Sequence, residues 1–499
     1  MSTTDLDVAV IGAGISGIGA GHYLRELLPE VSFTILEARD AIGGTWDLFR
    51  YPGIRSDSDL FTFGYEFKPW TGDSIATGDA ILSYLHDTVR ESGLSDHIRF
   101  GHRVVGMSWS SEHARWTLEV ERTGSGERES LTARWVFGAT GYYDYEQGFA
   151  PRFEGQDDFA GTLVHPQRWP HDLDYVGTRI VVIGSGATAV TLVPALAERA
   201  EVTMLQRTPS YVLPVPTRDP LADALIRVLG PRRGHALARS MNIARQQGVW
   251  RFCRRYPKAA RRIIRRLTVS QLPDGFDVDT HFNPPYDPWD QRLCTVPDGD
   301  LFRVIREGRA DVVTDGIDRF TAGGVRLTSG RELAADIIVT ATGLRLLPFA
   351  GLDLVVDGEV VRLPDRTAYK GMMLSGVPNF AFSIGYTNSS WTLKVGLLCE
   401  HFCRLLRLMR DQGYVACAPI ADESARPARP LLDFGAGYVR RAADRLPVQG
   451  PRAPWQMSMS YYADARVLRR GPLLDEHLRF ARPGERLPLE TARSEPVPS

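Results

Sequence analysis

The hydrophobic pattern changes period sharply near the start of the chain. Residues 7–11 form a β-branched apolar run that predicts a buried strand, and residues 18–27 follow with a helical pattern. A glycine-rich turn at residues 12–17 separates the two. Residues 32–36 then predict a second strand. The order predicts a strand–turn–helix–strand unit, the building block of a parallel sheet covered by helices.

The same unit recurs later in the chain. Residues 179–183 predict a strand, residues 184–189 form a glycine-rich turn, residues 190–200 continue with a helical pattern, and residues 202–205 predict the next strand. In such turns one glycine allows the tight bend, another lets the backbone approach a pyrophosphate, and a third small residue lets helix and strand pack closely. The helix N-terminus then faces the phosphate charge. We therefore predict two dinucleotide sites, with the small residues Gly12, Gly14 and Gly17 in the first turn and Gly184, Gly186 and Ala189 in the second.

Three further patterns complete the outline. Residues 135–141 and 336–343 are apolar runs ending in Ala-Thr-Gly, and each predicts a buried strand that leads into a turn. Residues 392–402 predict an amphipathic helix. Residues 221–272 show no strand pattern and are rich in arginine, which predicts a helical insertion. The tail at residues 483–499 has proline and charge without periodicity, so we expect it to be frayed.

Composition excludes several classes of protein. The chain has 499 residues, enough for several domains of ~100–200 residues each. Lys+Arg 59 against Asp+Glu 60 gives a net charge of -1, so nothing indicates a nucleic-acid partner. The start of the chain is short and polar, and no apolar run reaches the ~18 residues of a membrane span. We expect a cytoplasmic protein, and the oligomeric state stays open.

The cysteines favour reduced thiols. Their number is odd, and they are spread over the second half of the chain, which does not suit a disulfide framework. Cys399 and Cys403 have helical spacing, but no His or Cys partners recur at zinc-like intervals, so we predict core thiols and no metal site. A disulfide reductase is also excluded, because the first cysteine is Cys253 and no redox pair lies near the first turn.

The two units differ at the end of their second strand. The first ends in Glu37, whose carboxylate can accept from both ribose hydroxyls and would repel a 2′-phosphate. The second ends in Gln206, Arg207 and Thr208, where a guanidinium can bind a 2′-phosphate by charge-assisted hydrogen bonds. This difference favours NADPH at the second turn. The alternative for Arg207 is an ordinary surface arginine.

A second glycine pair follows the first unit. Gly43 and Gly44, with Thr45 and Trp46 after them, resemble the segment by which two-dinucleotide flavoproteins enclose the rest of FAD. The first cofactor is therefore predicted to be FAD, and the fold class an α/β two-dinucleotide-binding flavoprotein with two Rossmann-like domains.

A fingerprint between the two turns narrows the family. Phe-x-Gly-x-x-x-His-x-x-x-Trp-Pro is complete, and with it the chain resembles the type I Baeyer–Villiger monooxygenases, a branch of the flavin-containing monooxygenases. Its positions are Phe159, Gly161, His165, Trp169 and Pro170. In that family the fingerprint lies at the junction of the nucleotide domains and couples their movement. His165 is accordingly expected to be a satisfied junction histidine rather than a group that takes part in the chemistry.

The resemblance implies an activity. A C4a-peroxide formed on reduced flavin attacks a ketone, and migration of the neighbouring carbon gives an ester or lactone. The substrates are dioxygen and a small apolar ketone or sulfide, because oxygenation of thioethers or thioamides is implied as a second activity. A permanent cation must hold the peroxide as an anion without protonating it, and arginine meets that need.

The resemblance also assigns residues. Arg292 is implied as the active cation and Asp57 as the carboxylate that orients it; the alternative is an ordinary ion pair. The implied FAD contacts are Gly12, Gly14, Ile15, Ser16, Gly17, Glu37, Gly44, Thr45, Trp46, Asp47 and Val104. The implied NADPH contacts are Arg55, Ser56, Asp57, Gly184, Ser185, Gly186, Ala187, Thr188, Ala189, Arg207 and Thr208. Tyr386 and Trp391 either shape the substrate wall or belong to the core.

One position departs from the family pattern. Ketone oxidisers of this family carry a lysine before the active arginine, and it reaches the NADPH phosphate, whereas this chain has Gln291. Phosphate recognition therefore rests more heavily on Arg207 and Thr208, and we expect weaker discrimination between NADPH and NADH.

Two alternatives to ketone oxidation stay open. A flavin monooxygenase that oxygenates only nitrogen or sulfur would use the protonated hydroperoxide on soft nucleophiles. A non-catalytic NADPH-binding redox sensor would keep both turns without oxygen chemistry. Rapid flavin bleaching by NADPH together with oxygen uptake would exclude the sensor.

The domain prediction places an FAD domain at residues 1–150 and again at 336–499, with an NADPH domain at 151–335 between them. The helical insertion at 221–272 falls in the NADPH domain. Its arginines are either a solvated face above buried stripes or a basic amphipathic surface that makes weak contact with an anionic membrane.

Overall fold

The computed structural model describes residues 4–432, 434–487 and 489. The predicted tail therefore lies largely outside the described residues. The first stretch of chain contains six strands and four helices: β1 (Thr4–Ile11), α1 (Ile15–Leu27), β2 (Phe33–Leu36), α2 (Thr45–Leu48), α3 (Leu60–Phe63), α4 (Gly78–Glu91), β3 (Ile98–Arg99), β4 (His102–Ser110), β5 (Arg115–Arg122) and β6 (Arg128–Gly138).

The middle stretch holds the second nucleotide unit and the arginine-rich segment. Its elements are β7 (Thr162–Val164), β8 (Arg179–Ile183), α5 (Ala187–Leu196), β9 (Glu201–Gln206), β10 (Val212–Val215), α6 (Pro220–Arg255), α7 (Pro257–Val269), α8 (Val278–His281), β11 (Cys294–Pro297), α9 (Asp300–Arg306), β12 (Ala310–Thr314), β13 (Ile317–Thr321), β14 (Gly324–Leu327), β15 (Glu332–Ala334) and β16 (Ile337–Thr340).

The last stretch returns to the first sheet. Its elements are β17 (Leu354–Val356), β18 (Glu359–Val360), β19 (Ala368–Tyr369), β20 (Met373–Leu374), β21 (Phe380–Phe382), α10 (Trp391–Gln412), β22 (Ala416–Pro419), β23 (Arg429–Pro430), α11 (Gly437–Arg440), β24 (Val448–Gln449), α12 (Tyr461–Ala465) and β25 (Leu478–Ala481). No helix among the described residues is long and apolar enough to cross a membrane.

Five parallel strands in each nucleotide unit repeat one topology, and those of the first unit belong to an 11-stranded mixed sheet. In the first, β3, β2, β1, β6 and β21 lie side by side and parallel. In the second, β12, β9, β8, β16 and β7 lie in the corresponding order. Each glycine-turn strand, β1 or β8, therefore has a strand ending in Ala-Thr-Gly beside it. The sequence repeat is a repeat of structure.

Close packing explains the small residues of the turns. A Cβ on Gly17 would lie 1.8 Å from the carbonyl oxygen of Gly12, so only glycine lets α1 approach β1 at this point. Gly184 has a φ of +143°, and a Cβ there would lie 2.3 Å from the carbonyl oxygen of Ala341. In the first unit, strand β1 and helix α1 meet across an apolar core in which Val8, Val10 and Ile18 are fully buried.

The predicted domain boundary after residue 335 lies just before strand β16. Strand β16 begins at Ile337 and pairs with both β7 and β8, so it belongs to the second sheet. The chain leaves the second sheet only after Thr340. The pattern of residues 336–343 predicted the strand but not the sheet to which it belongs, because sheet membership depends on pairing between distant segments.

Helices α6 and α7 occupy most of the arginine-rich segment. Helix α6 is kinked at Gly230, which has a φ of 78° and precedes Pro231. Although the segment interrupts the second nucleotide unit, α6 is anchored to the first. The buried Arg239 guanidinium donates to the carbonyl oxygens of Phe61, Thr62 and Gly64 at 2.8 to 3.0 Å.

Candidate functional site

A large cavity lies between the two glycine turns. Its volume is about 1540 Å³, well above the ~300–1,000 Å³ of an ordinary ligand pocket. Gly12, Gly14 and Glu37 line one part of it, and Gly184, Gly186 and Arg207 line another. The cavity therefore has room for more than one ligand, and each glycine turn lines part of it.

The first turn forms a narrow backbone cradle. The amide of Gly43 donates to the carbonyl oxygen of Ala13 at 3.0 Å, which brings the second glycine pair against the first turn. A Cβ on Gly44 would lie 3.2 Å from the Cα of Gly14, so side chains here would fill the space between the two segments. The cradle leaves backbone amides free to face a pyrophosphate.

Glu37 stands at the end of β2 as predicted. Its carboxylate accepts hydrogen bonds from the amides of Ala13 at 2.7 Å and Arg39 at 2.9 Å. Burial raises the pKa of Glu37, while these two amides oppose the shift. The amides fix the carboxylate at the cavity wall, where its remaining lone pairs can accept from ribose hydroxyls.

The second turn is more open. No atom lies within 4 Å of a Cβ placed on Gly186, so this turn has free space where a ligand would pass. The hydroxyl of Ser185 donates to the carbonyl oxygen of Thr208 at 2.9 Å and holds the turn against the end of β9. Arg207 is exposed at the cavity wall and forms no ion pair with a described residue, whereas Gln206 is buried and donates to the carbonyl oxygen of His281. The guanidinium is thus available to an anion.

Arg292 and Asp57 meet in the cavity wall, although 235 positions separate them in the chain. The guanidinium donates to the carboxylate at 2.6 Å. Desolvation alone would lower the pKa of Arg292, but the neighbouring Asp57 carboxylate outweighs it and the pKa is raised. The pair therefore presents a permanent cation to the cavity.

Three tyrosines surround this pair. Tyr142, Tyr143 and Tyr438 line the cavity, and the rings of Tyr142 and Tyr143 are 4.6 Å apart between centroids. Burial raises the pKa of all three phenols, so they stay protonated near neutral pH. The region thus combines the Arg292–Asp57 ion pair with neutral hydrogen-bond donors.

Five of the predicted contacts do not line the cavity. Gly17 and Ala189 sit inside their units as packing positions. The Asp47 carboxylate forms ion pairs with Arg39 and with Arg50, the latter at 2.5 Å. Arg55 pairs with Asp300 at the start of α9, and the hydroxyl of Ser56 donates to the carbonyl oxygen of Ser58 at 2.9 Å. Asp47, Arg55 and Ser56 thus make contacts outside the cavity wall and do not line it. The other implied contacts, Val104 among them, do line it.

The fingerprint lies behind the cavity, not in its wall. Gly161 is required by close packing, because a Cβ would lie 2.3 Å from the carbonyl oxygen of Asp336. The ring of His165 lies against Gly148, and burial lowers its pKa, so it is neutral near pH 7. From within the fingerprint, Gln167 donates to the carbonyl oxygens of Asp144 at 2.8 Å and Tyr145 at 3.0 Å.

Two connections run side by side between the sheets. The segment after β6 pairs with the segment after β16 through Tyr143 and Leu346 in an antiparallel bridge. The amide of Phe149 donates to the carbonyl oxygen of Gly343 at 3.1 Å, and the Thr342 hydroxyl donates back to Phe149 at 2.6 Å. Because Gln167 donates hydrogen bonds to the first of these connections, the fingerprint contacts the segments that link the two nucleotide units.

Sequence reasoning missed several cavity residues. Tyr142, Tyr143 and Tyr145 follow directly after the first Ala-Thr-Gly, and this cluster of aromatic residues beside a predicted turn was a usable signal. Arg441 also lines the cavity, with its guanidinium 3.5 Å from the Phe149 ring centroid. No local pattern indicated Arg441.

Tyr386 and Trp391, for which two roles were open, both line the cavity. Tyr386 also donates a hydrogen bond to Asp464, and Trp391 donates one to Ser16.

Thiol and metal chemistry find no support in the described residues. All five cysteines are free and buried, Cys399 and Cys403 in the core of α10. No group of three or more His, Cys, Asp or Glu side chains in the described part of the chain could hold a metal ion.

Comparisons with known proteins agree with this architecture. The family model described as pyridine nucleotide-disulphide oxidoreductase matches residues 6–229. The chain is similar to the FAD-containing monooxygenase EthA of Mycobacterium tuberculosis, with 51% identity over 483 residues that cover 96% of this chain and 98% of that protein.

Two solved structures share the fold. An oxidised steroid monooxygenase bound to NADP has a TM-score of 0.74 and 23% identity, and the match covers 96% of this chain and 100% of that one. An open crystal structure of cyclohexanone monooxygenase has a TM-score of 0.74 and 22% identity, with the same coverage of both chains. The predicted two-dinucleotide flavoprotein fold is thereby confirmed.

Proposed function

Because this chain belongs to the family of FAD-containing monooxygenases, we propose that it uses NADPH and dioxygen to convert ketones into esters or lactones. One oxygen atom of dioxygen enters beside the carbonyl carbon and the other leaves as water. Oxygenation of thioether or thioamide sulfur is proposed as a second activity of the same site.

The first turn fits FAD. The glycine cradle of Gly14 and Gly44 would admit the pyrophosphate, and the Glu37 carboxylate would accept from ribose hydroxyls. Trp46 and Val104 line the same part of the cavity. Once bound and reduced, FAD supplies the activation of dioxygen, which no protein side chain can provide.

The second turn is proposed as the NADPH site. Gly186 leaves room for the pyrophosphate, and Arg207 offers an unpaired guanidinium where an acid would select NADH. Thr208 lies beside it in the cavity wall. Charge-assisted hydrogen bonds from Arg207 to the 2′-phosphate would account for a preference for NADPH.

The Arg292–Asp57 pair is the observation that carries the proposal of ketone oxidation. Arg292 would stabilise negative charge that develops on oxygen during attack at the carbonyl carbon, and its high pKa prevents it from donating a proton there. Asp57 would hold the guanidinium in the cavity wall through the 2.6 Å contact. The three protonated tyrosines add dipoles without a competing charge.

Sulfur oxygenation is supported by the same surroundings. A sulfur nucleophile attacks the oxidant directly and needs no anion, so it benefits from neutral donors near the reacting oxygen. Tyr142 and Tyr143 provide such donors at the cavity wall. The two activities therefore differ in their need for Arg292.

Product analysis tests the proposal. The purified holoenzyme is supplied with NADPH and heavy-isotope dioxygen, together with a panel of aliphatic, cyclic and aryl ketones and one thioether. We expect an ester or lactone carrying one heavy oxygen from at least one ketone, and a labelled sulfoxide from the thioether. Sulfoxide with no ester from any ketone would contradict ketone oxidation, and NADPH oxidation without any oxygenated product would contradict both activities.

A further inference from the structure

Helices α6 and α7 carry an unusual share of exposed apolar side chains. Among the described residues sixteen large hydrophobic side chains are exposed; nine of them lie in these two helices, and a tenth, Tyr256, lies between them. The ten are Leu221, Val228, Leu229, Leu237, Val249, Phe252, Tyr256, Ile263, Leu267 and Val269. Single exposed apolar residues are ordinary, but such a concentration indicates a surface that is covered in use.

The same helices are strongly basic. Residues 221–272 contain thirteen Arg and Lys residues against Asp223 as the one acid, in a chain whose net charge is -1. The following eight cations form no ion pair with a described residue: Arg227, Arg232, Arg233, Arg251, Arg255, Lys258, Arg262 and Arg266. The remainder of the chain has 46 Lys and Arg against 59 Asp and Glu, so it is acidic on balance while this segment is strongly basic.

On each helix, several of the apolar and basic residues lie on the same exposed side. In α6, Arg233, Leu237, Arg251 and Arg255 are exposed at spacings that return to one side of the helix, while His235, Arg239 and Asn242 on the opposite side are buried. In α7, the exposed pairs Arg262–Arg266 and Ile263–Leu267 are adjacent on the helix surface. We call the ten apolar residues and eight cations together the α6–α7 surface.

This surface is linked to the cavity by short contacts. The guanidinium of Arg254, near the end of α6, pairs at 2.7 Å with Asp290, which lies two residues before Arg292. On the other side, the hydroxyl of Ser389 in the cavity wall donates to Gln246 of α6 at 2.6 Å. Helix α6 thus lies between the α6–α7 surface and the cavity.

From these observations we propose that the α6–α7 surface docks on an anionic lipid bilayer. Its cations would meet the lipid phosphates while the exposed apolar side chains enter the interfacial region. The orientation would place the cavity beside the phase in which apolar ketones and sulfides concentrate. That last consequence rests on the proposed function, whereas the docking itself does not.

Lipid fits this surface better than the other partners. A nucleic acid would be bound by the cations but would leave the aliphatic residues Leu237, Ile263 and Leu267 in water. A second copy of this chain would have to place one arginine-rich surface against another across a two-fold interface, where like charges repel. An anionic bilayer satisfies both the charge and the apolar area.

Vesicle sedimentation tests the proposal directly. The full-length holoenzyme, without substrate, is spun with vesicles of phosphatidylcholine or of phosphatidylcholine with roughly one third phosphatidylglycerol. We expect pelleting with the anionic vesicles at about 0.05 M salt, strong loss at about 0.5 M salt, and little pelleting with phosphatidylcholine alone. Absence of pelleting with anionic vesicles at low salt would overturn the proposal.

Matched variants test whether vesicle binding depends on the α6–α7 surface or only on the total charge of the protein. The triple variant Arg251→Glu, Arg255→Glu and Arg262→Glu should bind anionic vesicles about tenfold or more weakly, because each cation near the lipid contributes ~1 kcal/mol. The pair Leu237→Ser and Ile263→Ser should also weaken binding. The control triple Arg199→Glu, Arg331→Glu and Arg470→Glu changes charge equally at exposed arginines elsewhere. Equal loss in the control would overturn the assignment to this surface.

Two further measurements separate the test of lipid docking from the test of the proposed function. Thioether oxidation in solution should be unchanged in the α6–α7 triple variant, since none of its positions lines the cavity. Light scattering gives the oligomeric state: a wild-type dimer that the same triple variant dissociates, without vesicle binding, would identify the surface as a contact between copies and contradict docking on lipid. Failure to make esters would leave the sedimentation result unaffected.

Discussion

At the scale of single residues, the unequal ends of two equivalent strands distinguish the two proposed cofactor sites. Glu37 is fixed by the amides of Ala13 and Arg39 and presents a carboxylate to the first site. Arg207, at the corresponding place in the second unit, is exposed and forms no ion pair with a described residue. A carboxylate accepts hydrogen bonds from ribose hydroxyls, whereas a free guanidinium can donate charge-assisted hydrogen bonds to a phosphate.

Replacing Arg207 tests this difference. In Arg207→Ala the KM for NADPH should rise about tenfold or more while the KM for NADH changes little, because a hydrogen bond to a charged group contributes ~1.5–3 kcal/mol. Steady-state kinetics with both nucleotides measures the ratio. Arg199→Ala, an exposed arginine of the same unit outside the cavity, is the control. An unchanged ratio in Arg207→Ala would remove Arg207 from phosphate recognition.

The converse change is available at Gln291. This side chain lines the cavity next to Arg292. If a lysine there would reach the phosphate, Gln291→Lys should lower the KM for NADPH several-fold more than the KM for NADH. Equal effects on both nucleotides would show that position 291 does not face the phosphate in this chain.

Sequence reasoning predicted which two residues of the proposed active centre would meet, but not the contacts that support the cavity wall. Arg292 and Asp57 were named as a pair, and they meet in the cavity wall. Asp47 and Arg55 were named as cofactor contacts, yet Arg50 and Asp300 engage them. Which partner a charged side chain selects depends on segments brought together by folding, and Asp300 is 245 positions from Arg55. A one-dimensional pattern does not contain that distance.

At the scale of elements, both nucleotide units were predictable because local signals agreed. Each joins a β-branched strand, a glycine turn and a helix, and the structure has β1 with α1 and β8 with α5 at these places. The ends of the elements shifted by a few residues. The sheet that receives β16 could not be predicted, since a short strand that is buried on both faces can pair in either sheet.

Two glycines of the second turn should respond differently to substitution. Gly186 has an extended backbone and no atom within 4 Å of an added Cβ, so Gly186→Ala should fold normally and raise the KM for NADPH about tenfold by occupying ligand space. Gly184→Ala should lower the melting temperature, because its φ is +143° and its Cβ would meet a carbonyl oxygen at 2.3 Å. Calorimetry and NADPH kinetics on both variants are the measurements. A destabilised Gly186→Ala or an unaffected KM would contradict the assignment of that space to a ligand.

At the scale of the whole molecule, buried histidines predict a loss of stability in acid. Burial, with a smaller contribution from Lys370, lowers the pKa of His401 to about 3, and burial with Arg239 lowers that of His235 to about 4. Their pKa in the unfolded chain is about 6.5. The unfolded state therefore binds more protons below this pH, and folded stability is lost as pH falls through about 6.5. Near pH 5 each histidine should cost roughly 2 kcal/mol.

Thermal unfolding of the holoenzyme at a fixed scan rate measures this effect. The apparent melting temperature should fall between about pH 7 and about pH 5, and His401→Asn should reduce that fall. His171→Asn, at an exposed position, is the control and should leave it unchanged. A melting temperature that stays constant over this range would contradict the burial of neutral histidines.

The fingerprint lies outside the cavity wall, at the connections between the two units. It contacts the paired connections between the sheets through Gln167 and leaves the cavity wall to Arg292 and the tyrosines. Its expected place at the junction agrees with these contacts. A role in coupling the movement of the units stays a prediction.

The ratio of ester formed to NADPH consumed, compared between the wild type and Arg292→Ala, tests the central claim most directly. Both proteins should show flavin bleaching by NADPH, because reduction does not need the cation. The ratio should fall about a hundredfold or more in Arg292→Ala, the loss typical of removing a charge-stabilising group, while sulfoxide formation falls far less. Arg292→Lys, which keeps a positive charge, should retain part of the ratio. An unchanged ester ratio in Arg292→Ala would contradict the account.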